Sequence, residues 1–229
     1  MTRTALRDLD ALEEGGVDGI LVENFGDVPY AKTAPPETIA FMTVVVEEIL
    51  RKSRAPVGVN VLRSDGPAAM SIAAATGAPF IRVNVYCGVA FTDQGTIEGD
   101  ARQLLTLRHR LTCDVKILAD VHVKHAAHPT TVEQATIDAA RNRADALIVS
   151  GIGTGRRTSA EDLQAAKQVT SLPVFVGSGV RIDNLSTYRD ADGFIVGCAL
   201  KRDGAVEAAV DIARVRALAN AVSDLRNGP

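Results

Sequence analysis

The chain has 229 residues, 46% of them hydrophobic and 23% charged, with 19 Gly and 9 Pro. That size and balance suit one large domain or two small ones and exclude disordered, collagenous and coiled-coil architectures. With 25 Lys plus Arg against 28 Asp plus Glu, the net charge of −3 lacks the basic excess that nucleic-acid binding requires. The longest apolar stretch, 39–46, stops at Glu47 and Glu48, far short of the roughly 20 residues of a membrane span. The charged opening has no apolar signal-peptide core, so a cytoplasmic protein is expected. Cys87, Cys113 and Cys198, odd in number and without CxxC spacing, read as reduced thiols. With 4% aromatics and no Trp, the core must come from Ala, Val, Ile and Leu.

In chain order, a helix over 6–14 precedes a β-branched run at 19–23, and an amphipathic helix over 38–51 follows Pro35 and Pro36. Further runs lie at 57–61, 80–85, 115–121, 146–150, 174–177 and 193–196. They are apolar on both faces, as a parallel sheet covered on both sides demands. Thr131, with Gln134 three residues on, caps a helix that runs to residue 143. Ser159 opens another to residue 169, with acids in the first turn where the helix dipole favours them. A long helix over 206–225 closes the chain. The basic cluster Arg102, Arg108, His109 and Arg110 reads as a solvated helix face. No linker or repeat appears, so residues 1–229 are read as one domain.

Seven strands, each followed by a helix and with a helix in front, are the bookkeeping of a (β/α)₈ TIM barrel lacking its first strand. A doubly wound open sheet has the same alternation. The polar residues decide, because almost every strand ends in a polar or glycine cluster, and only a barrel gathers all those ends at one mouth.

Those strand ends supply the candidate site. Asp120, His122 and Lys124 are two apart, so while the strand lasts they share a face, and Asp with His is a common acid–base arrangement; a buried structural pair is the plainer alternative. Lys124 could pair an anion or form a Schiff base. Glu23 adds a second carboxylate. Asn24, Asn60, Asn84 and Ser150 are candidate substrate contacts, although Asn60 and Asn84 could equally form a structural amide ladder. Gly177-Ser178-Gly179, with Gly197 after the next strand and Gly151 in an earlier loop, allows close backbone approach to phosphate; tight turns would use the same glycines. Arg156 and Arg157 belong either to an anion-neutralising lid or to a solvated loop. His122, His125 and His128 are spaced by three, but Pro129 follows at once and no single coordination geometry results, so no metal is assigned. The residues call for no cofactor.

The chain resembles the BtpA/SgcQ family in Glu23-Asn24-Phe25-Gly26-Asp27-Val28-Pro29-Tyr30, Asn60-Val61-Leu62-Arg63, Arg82-Val83-Asn84, Ala119-Asp120-Val121-His122-Val123-Lys124-His125 and Val149-Ser150-Gly151. The resemblance covers nearly the whole chain and implies a phosphate-binding TIM barrel. The family is named for a photosystem I biogenesis factor, and related proteins accompany sugar-utilisation genes under a nucleosidase label. It therefore implies a small phosphorylated sugar or nucleoside as partner, with self-association left open. The family's opening strand, ending His-Leu-x-Pro-Leu-Pro-Gly, has no counterpart here, and a start set too far downstream is the reading adopted. Two functions follow: acid–base chemistry of nucleosidase or isomerase type, or a non-catalytic role in photosystem I biogenesis.

Overall fold

The β-branched runs pair side by side in one parallel sheet, and their connecting segments fold back as helices. The computed structural model describes residues 2–228 except Ile152, Gly155, Arg156 and Ser178. Helix α1 (Thr2–Gly15) leads into β1 (Ile20–Glu23), α2 (Pro36–Lys52), β2 (Val57–Asn60), α3 (Gly66–Thr76) and β3 (Phe80–Val83). A hairpin of β4 (Val89–Thr92) and β5 (Gly95–Glu98) precedes α4 (Ala101–Arg110) and β6 (Lys116–Val121). Then come β7 (Ala126–Ala127), α5 (Val132–Arg141), β8 (Ala146–Val149), α6 (Ala160–Val169), β9 (Val174–Val176), β10 (Gly193–Phe194) and α7 (Ile212–Asn227).

The sheet order is β1-β2-β3-β6-β8-β9-β10, all parallel, so the strands lie in chain order once the hairpin is set aside. This is a TIM-type barrel of seven strands, curled but open. Among the described residues, β1 and β10 are its two edges.

Alternation along the strands divides their side chains between two layers. Val59, Ile81, Val83, Ile117, Ala119, Leu147, Val149, Val174 and Val176 face the helices in a core running from Ala34 to Leu218. The opposite face lines the barrel. There Gly58 and Gly193 make room for aromatic rings, since a Cβ would stand 2.0 Å from Phe80 and 2.5 Å from Phe175. Outside, α1 packs on α7 because Gly15 has no side chain; a Cβ there would lie 2.3 Å from Val215 Cγ1.

Helix starts follow the sequence. Thr131 and Ser159 accept hydrogen bonds from the N–H groups of Gln134 (3.3 Å) and Asp162 (3.1 Å), capping α5 and α6 as expected. Three features differ from the sequence reading. Residues 89–98 form a hairpin that joins β7 in a small antiparallel sheet. The connection after β9 is a 3₁₀ turn, Ile182–Tyr188, because Asn184 bonds back to Gly179 O and Arg181 N instead of leaving the backbone to a helix. The last helix starts at Ile212, capped by Asp211, and not near 206.

Candidate active site at the barrel mouth

Register brings the charged strand ends together. Glu23 stands opposite Asn60 in the β1–β2 pairing, and Asn60 Nδ2 donates to Glu23 Oε1 at 2.9 Å. Arg82, inside the otherwise apolar β3, donates through Nε and Nη2 to both oxygens of Asp120, at 2.8 and 2.9 Å. It also reaches Glu23 Oε1 at 3.4 Å, and Asn84 Nδ2 adds a bond to Asp120 Oδ2 at 3.0 Å. The Arg82 and Asp120 side chains are 4% and 0% exposed. Such a buried pair is favoured because the fork is bidentate and Asn84 supplies a third donor to the carboxylate. Burial would lower the Arg82 pKa, but the Asp120 charge and hydrogen bonds, with Glu23 behind them, raise it above the ordinary guanidinium value.

This network floors a cavity of about 470 Å³ whose walls include Glu23, Asn60, Arg63, Arg82, Asn84, Asp93, Lys124, His125 and Thr154. Three features of the cavity bear on chemistry. Glu23 Oε2 accepts no hydrogen bond from a described residue. Asn60 Oδ1 and Asn84 Oδ1 are buried acceptors without a donor among the described residues. The Lys124 amine makes no hydrogen bond or ion pair with a described residue, and burial, then Arg82, lowers its pKa from the usual lysine value against the pull of Glu23 and Asp120. His125 faces the same space, with its Nε2 accepting the Thr154 N–H at 3.0 Å.

The expected residues therefore separate. Glu23, Asn60, Asn84 and Lys124 meet at the cavity, and Asp120 lies beneath it. His122 does not join them, which corrects the expectation of three side chains on one face. Strand β6 ends at Val121, and His122 takes φ +56°, so the alternation breaks. Its ring stacks on His128 at 4.4 Å, and burial with the neighbouring His128 pushes its pKa down to about 4. Asp120 has both oxygens engaged, by Arg82 and Asn84.

Asn24 clamps backbone, accepting from Leu62 N–H at 2.7 Å and donating to Leu62 O. Ser150 donates to His122 O at 3.1 Å, tying β6 to β8. Gly177 backs onto Arg82, since a Cβ there would lie 3.7 Å from Nη2 and 2.5 Å from Ile148 Cγ2. Gly179 has φ +65°, and Gly197 opens onto free space. Gly151 is buried. Ser178 and Arg156 lie outside the described residues, and Arg157 pairs with Asp183 at 3.1 Å. Among the described residues no cluster of His, Cys, Asp and Glu forms a metal-binding set. Sequence reasoning missed Arg63 and Arg82 as site residues. The signal for Arg82 was present: a lone charge inside an apolar strand must find a partner.

Together these features define an open α/β barrel with a charged mouth. The BtpA family profile matches residues 1–224, and the chain belongs to the BtpA family. An uncharacterized protein of Thermococcus kodakarensis is 52% identical over 97% of this chain and 86% of its own. The photosystem I biogenesis protein BtpA of Synechocystis is 45% identical over 96% of this chain and 79% of its own. In three dimensions the chain is similar to thiamine phosphate pyrophosphorylase from Pyrococcus furiosus, with TM-score 0.65, 18% identity and coverage of 96% and 90%. It is also similar to 3-hexulose-6-phosphate synthase from Salmonella typhimurium, with TM-score 0.65, 16% identity and coverage of 97% and 93%. No helix is long and apolar enough to cross a membrane among the described residues.

Proposed function

We propose that the chain is an enzyme acting on a phosphorylated sugar or nucleoside at the barrel mouth. The observation that carries this reading is the set of unsatisfied groups in one cavity: the Lys124 amine, Glu23 Oε2 and the amide oxygens of Asn60 and Asn84. Orphaned buried acceptors are costly in a purely structural site and are repaid when a ligand's hydroxyls donate to them. Glu23 would take the proton, from water that attacks a glycosidic carbon or from an enolisable carbon, and Lys124 would stabilise the negative charge that develops on the departing group in the first case and on the enolate oxygen in the second. Arg82, held by Asp120, keeps Glu23 in place. Phosphate would sit on the backbone of Gly177, Ser178, Gly179 and Gly197, after the last two strands, where barrels of this type commonly hold it. The structural relatives named for phosphorylated compounds support the same class.

Thermal melting against paired free and phosphorylated sugars and nucleosides tests this. A ligand at about 100 times its dissociation constant stabilises by roughly 2.7 kcal/mol. A shift with a phosphorylated compound, absent with its free counterpart and lost in Gly179→Asp, is the expected result. No shift across the panel would sink the proposal. The Synechocystis relative's name favours a second reading, a factor in photosystem I biogenesis. On that reading Lys124→Met would complement loss of the gene as well as the unaltered chain does; on the enzymatic reading it would not.

A further inference from the structure

Lys124 is the cation that the charge network of the mouth leaves over. Glu23 and Asp120 act on its amine through space, and a lysine so placed ordinarily forms an ion pair with one of them. Arg82 forecloses that pairing, because it holds both Asp120 oxygens and reaches Glu23 Oε1 at 3.4 Å. Unlike Asn60 Oδ1 and Asn84 Oδ1, the Lys124 nitrogen is open to solvent, and the residue lines the mouth cavity. Burial, then Arg82, keeps its pKa below the usual lysine value, which favours the free amine, the form that attacks carbon. The backbone fixes its place. Strand β6 ends at Val121, His122 and His125 take φ +56° and +57°, and Arg63 Nη2 donates to Lys124 O.

An ammonium that only balances charge would sit in the grip of a carboxylate. An open, unpaired amine sharing a cavity with a carboxylate that accepts through one oxygen alone is the arrangement of imine chemistry. We infer that Lys124 forms a Schiff base with the carbonyl carbon of an open-chain sugar phosphate, and that Glu23 takes a proton from the carbon beside it. The nitrogen lone pair adds to the carbonyl carbon, and the carbonyl oxygen takes a proton to give a carbinolamine. That oxygen takes a second proton and leaves as water. Counted from the ammonium, both protons come from the nitrogen, so the products are a protonated imine and one water. Glu23 then removes the neighbouring C–H proton; that bond's electron pair forms C=C, and the C=N π pair returns to nitrogen. This rests on the phosphorylated-substrate reading in its enolisable-carbon form. A bond to nitrogen replaces the ion pair to an enolate oxygen, and a glycoside without a free carbonyl is not a substrate.

Borohydride reduction followed by peptide mass spectrometry tests the inference, because it turns an imine into a stable secondary amine. The probes are glyceraldehyde 3-phosphate, dihydroxyacetone phosphate and ribose 5-phosphate, with free glyceraldehyde for comparison and glycerol 3-phosphate as the control without a carbonyl. At least one phosphorylated carbonyl probe should add a single reduced adduct at Lys124, about tenfold or more faster than at any other lysine, since a bound carbonyl is held against one amine. Glycerol 3-phosphate should add nothing, and Lys124→Arg, which keeps the charge, should lose the adduct. Adducts spread evenly over the lysines, alongside a thermal shift with the same probe, overturn the inference and leave the phosphorylated-substrate reading standing. A Lys124 adduct that free glyceraldehyde forms as fast as its 3-phosphate keeps the imine and overturns that reading. Neither thermal shift nor Lys124 adduct with any carbonyl probe overturns both. Should Lys124→Arg not fold, mapping of the adduct on the unaltered chain decides.

Discussion

Two carboxylates at the mouth have the same chemistry and different uses. Asp120 spends both oxygens on Arg82 and Asn84, whereas Glu23, which lines the cavity, accepts from described residues only through Oε1. On the enzymatic reading proposed above, the carboxylate with the unengaged oxygen, and not the one closer in sequence to a histidine, is the one that moves the proton. His122 shows the converse. It is held neutral by burial and by its stack on His128, with Nε2 lacking a partner among the described residues. Its folded pKa of about 4 lies below the unperturbed value near 6.5, so the unfolded chain binds the proton first. Stability from this residue is complete above about pH 6.5 and falls as pH drops toward 4. After discounting for solvent screening at a half-buried ring, the loss is about 1–2 kcal/mol. Chemical denaturation between pH 4 and 7 should show that slope, and His122→Asn, which suits positive φ, should flatten it. An unchanged slope would mean that other groups set the acid limb.

Helix caps differ in what else they hold. Asp100 caps α4 through a single bond from Gln103 N–H at 2.8 Å, in exposed surroundings. Asp65 caps α3 through Ala68 N–H at 2.9 Å, and its other oxygen accepts Ala34 N–H, also at 2.9 Å, from the long loop after β1. It is 8% exposed and so joins two elements in a buried place. Asp100→Ala should cost about 1 kcal/mol. Asp65→Ala should cost about 2–4 kcal/mol, because two charge-assisted bonds are lost and a buried N–H is orphaned. Urea midpoints of the two variants check the ranking; equal midpoints would show that the Ala34 tether contributes nothing. The hairpin of β4 and β5 acts at the same scale. It carries Asp93 into the cavity wall, while Val85, Ala90, Ile97 and Val123 form its own small core beneath.

One apolar layer runs through the whole molecule, from Ala34 on the first long loop to Leu218 on the last helix. Terminal helices α1 and α7 close against each other over Gly15 and Val215. Continuity of that kind predicts a single domain, residues 1–229, that unfolds as a unit. Scanning calorimetry should give one transition whose calorimetric and van't Hoff enthalpies agree. Two resolved transitions would divide the chain and require the mouth to be reconsidered as an interface between units.

Much of this was written locally. Apolar runs of four to six residues, the caps Thr131 and Ser159, and polar residues at strand ends sufficed for a barrel short of a strand and for Glu23, Asn60, Asn84 and Lys124 as members of its mouth. These are signals of period, turn chemistry and composition, which neighbours in sequence carry. The tertiary structure alone decided which groups are spent and which are free. Arg82 takes both oxygens of Asp120 from 38 positions away, His122 turns out of the strand at a positive φ, and Arg63 is buried against the carbonyl of Lys124. A side chain's availability depends on partners that the sheet order brings near, and no window along the chain contains them.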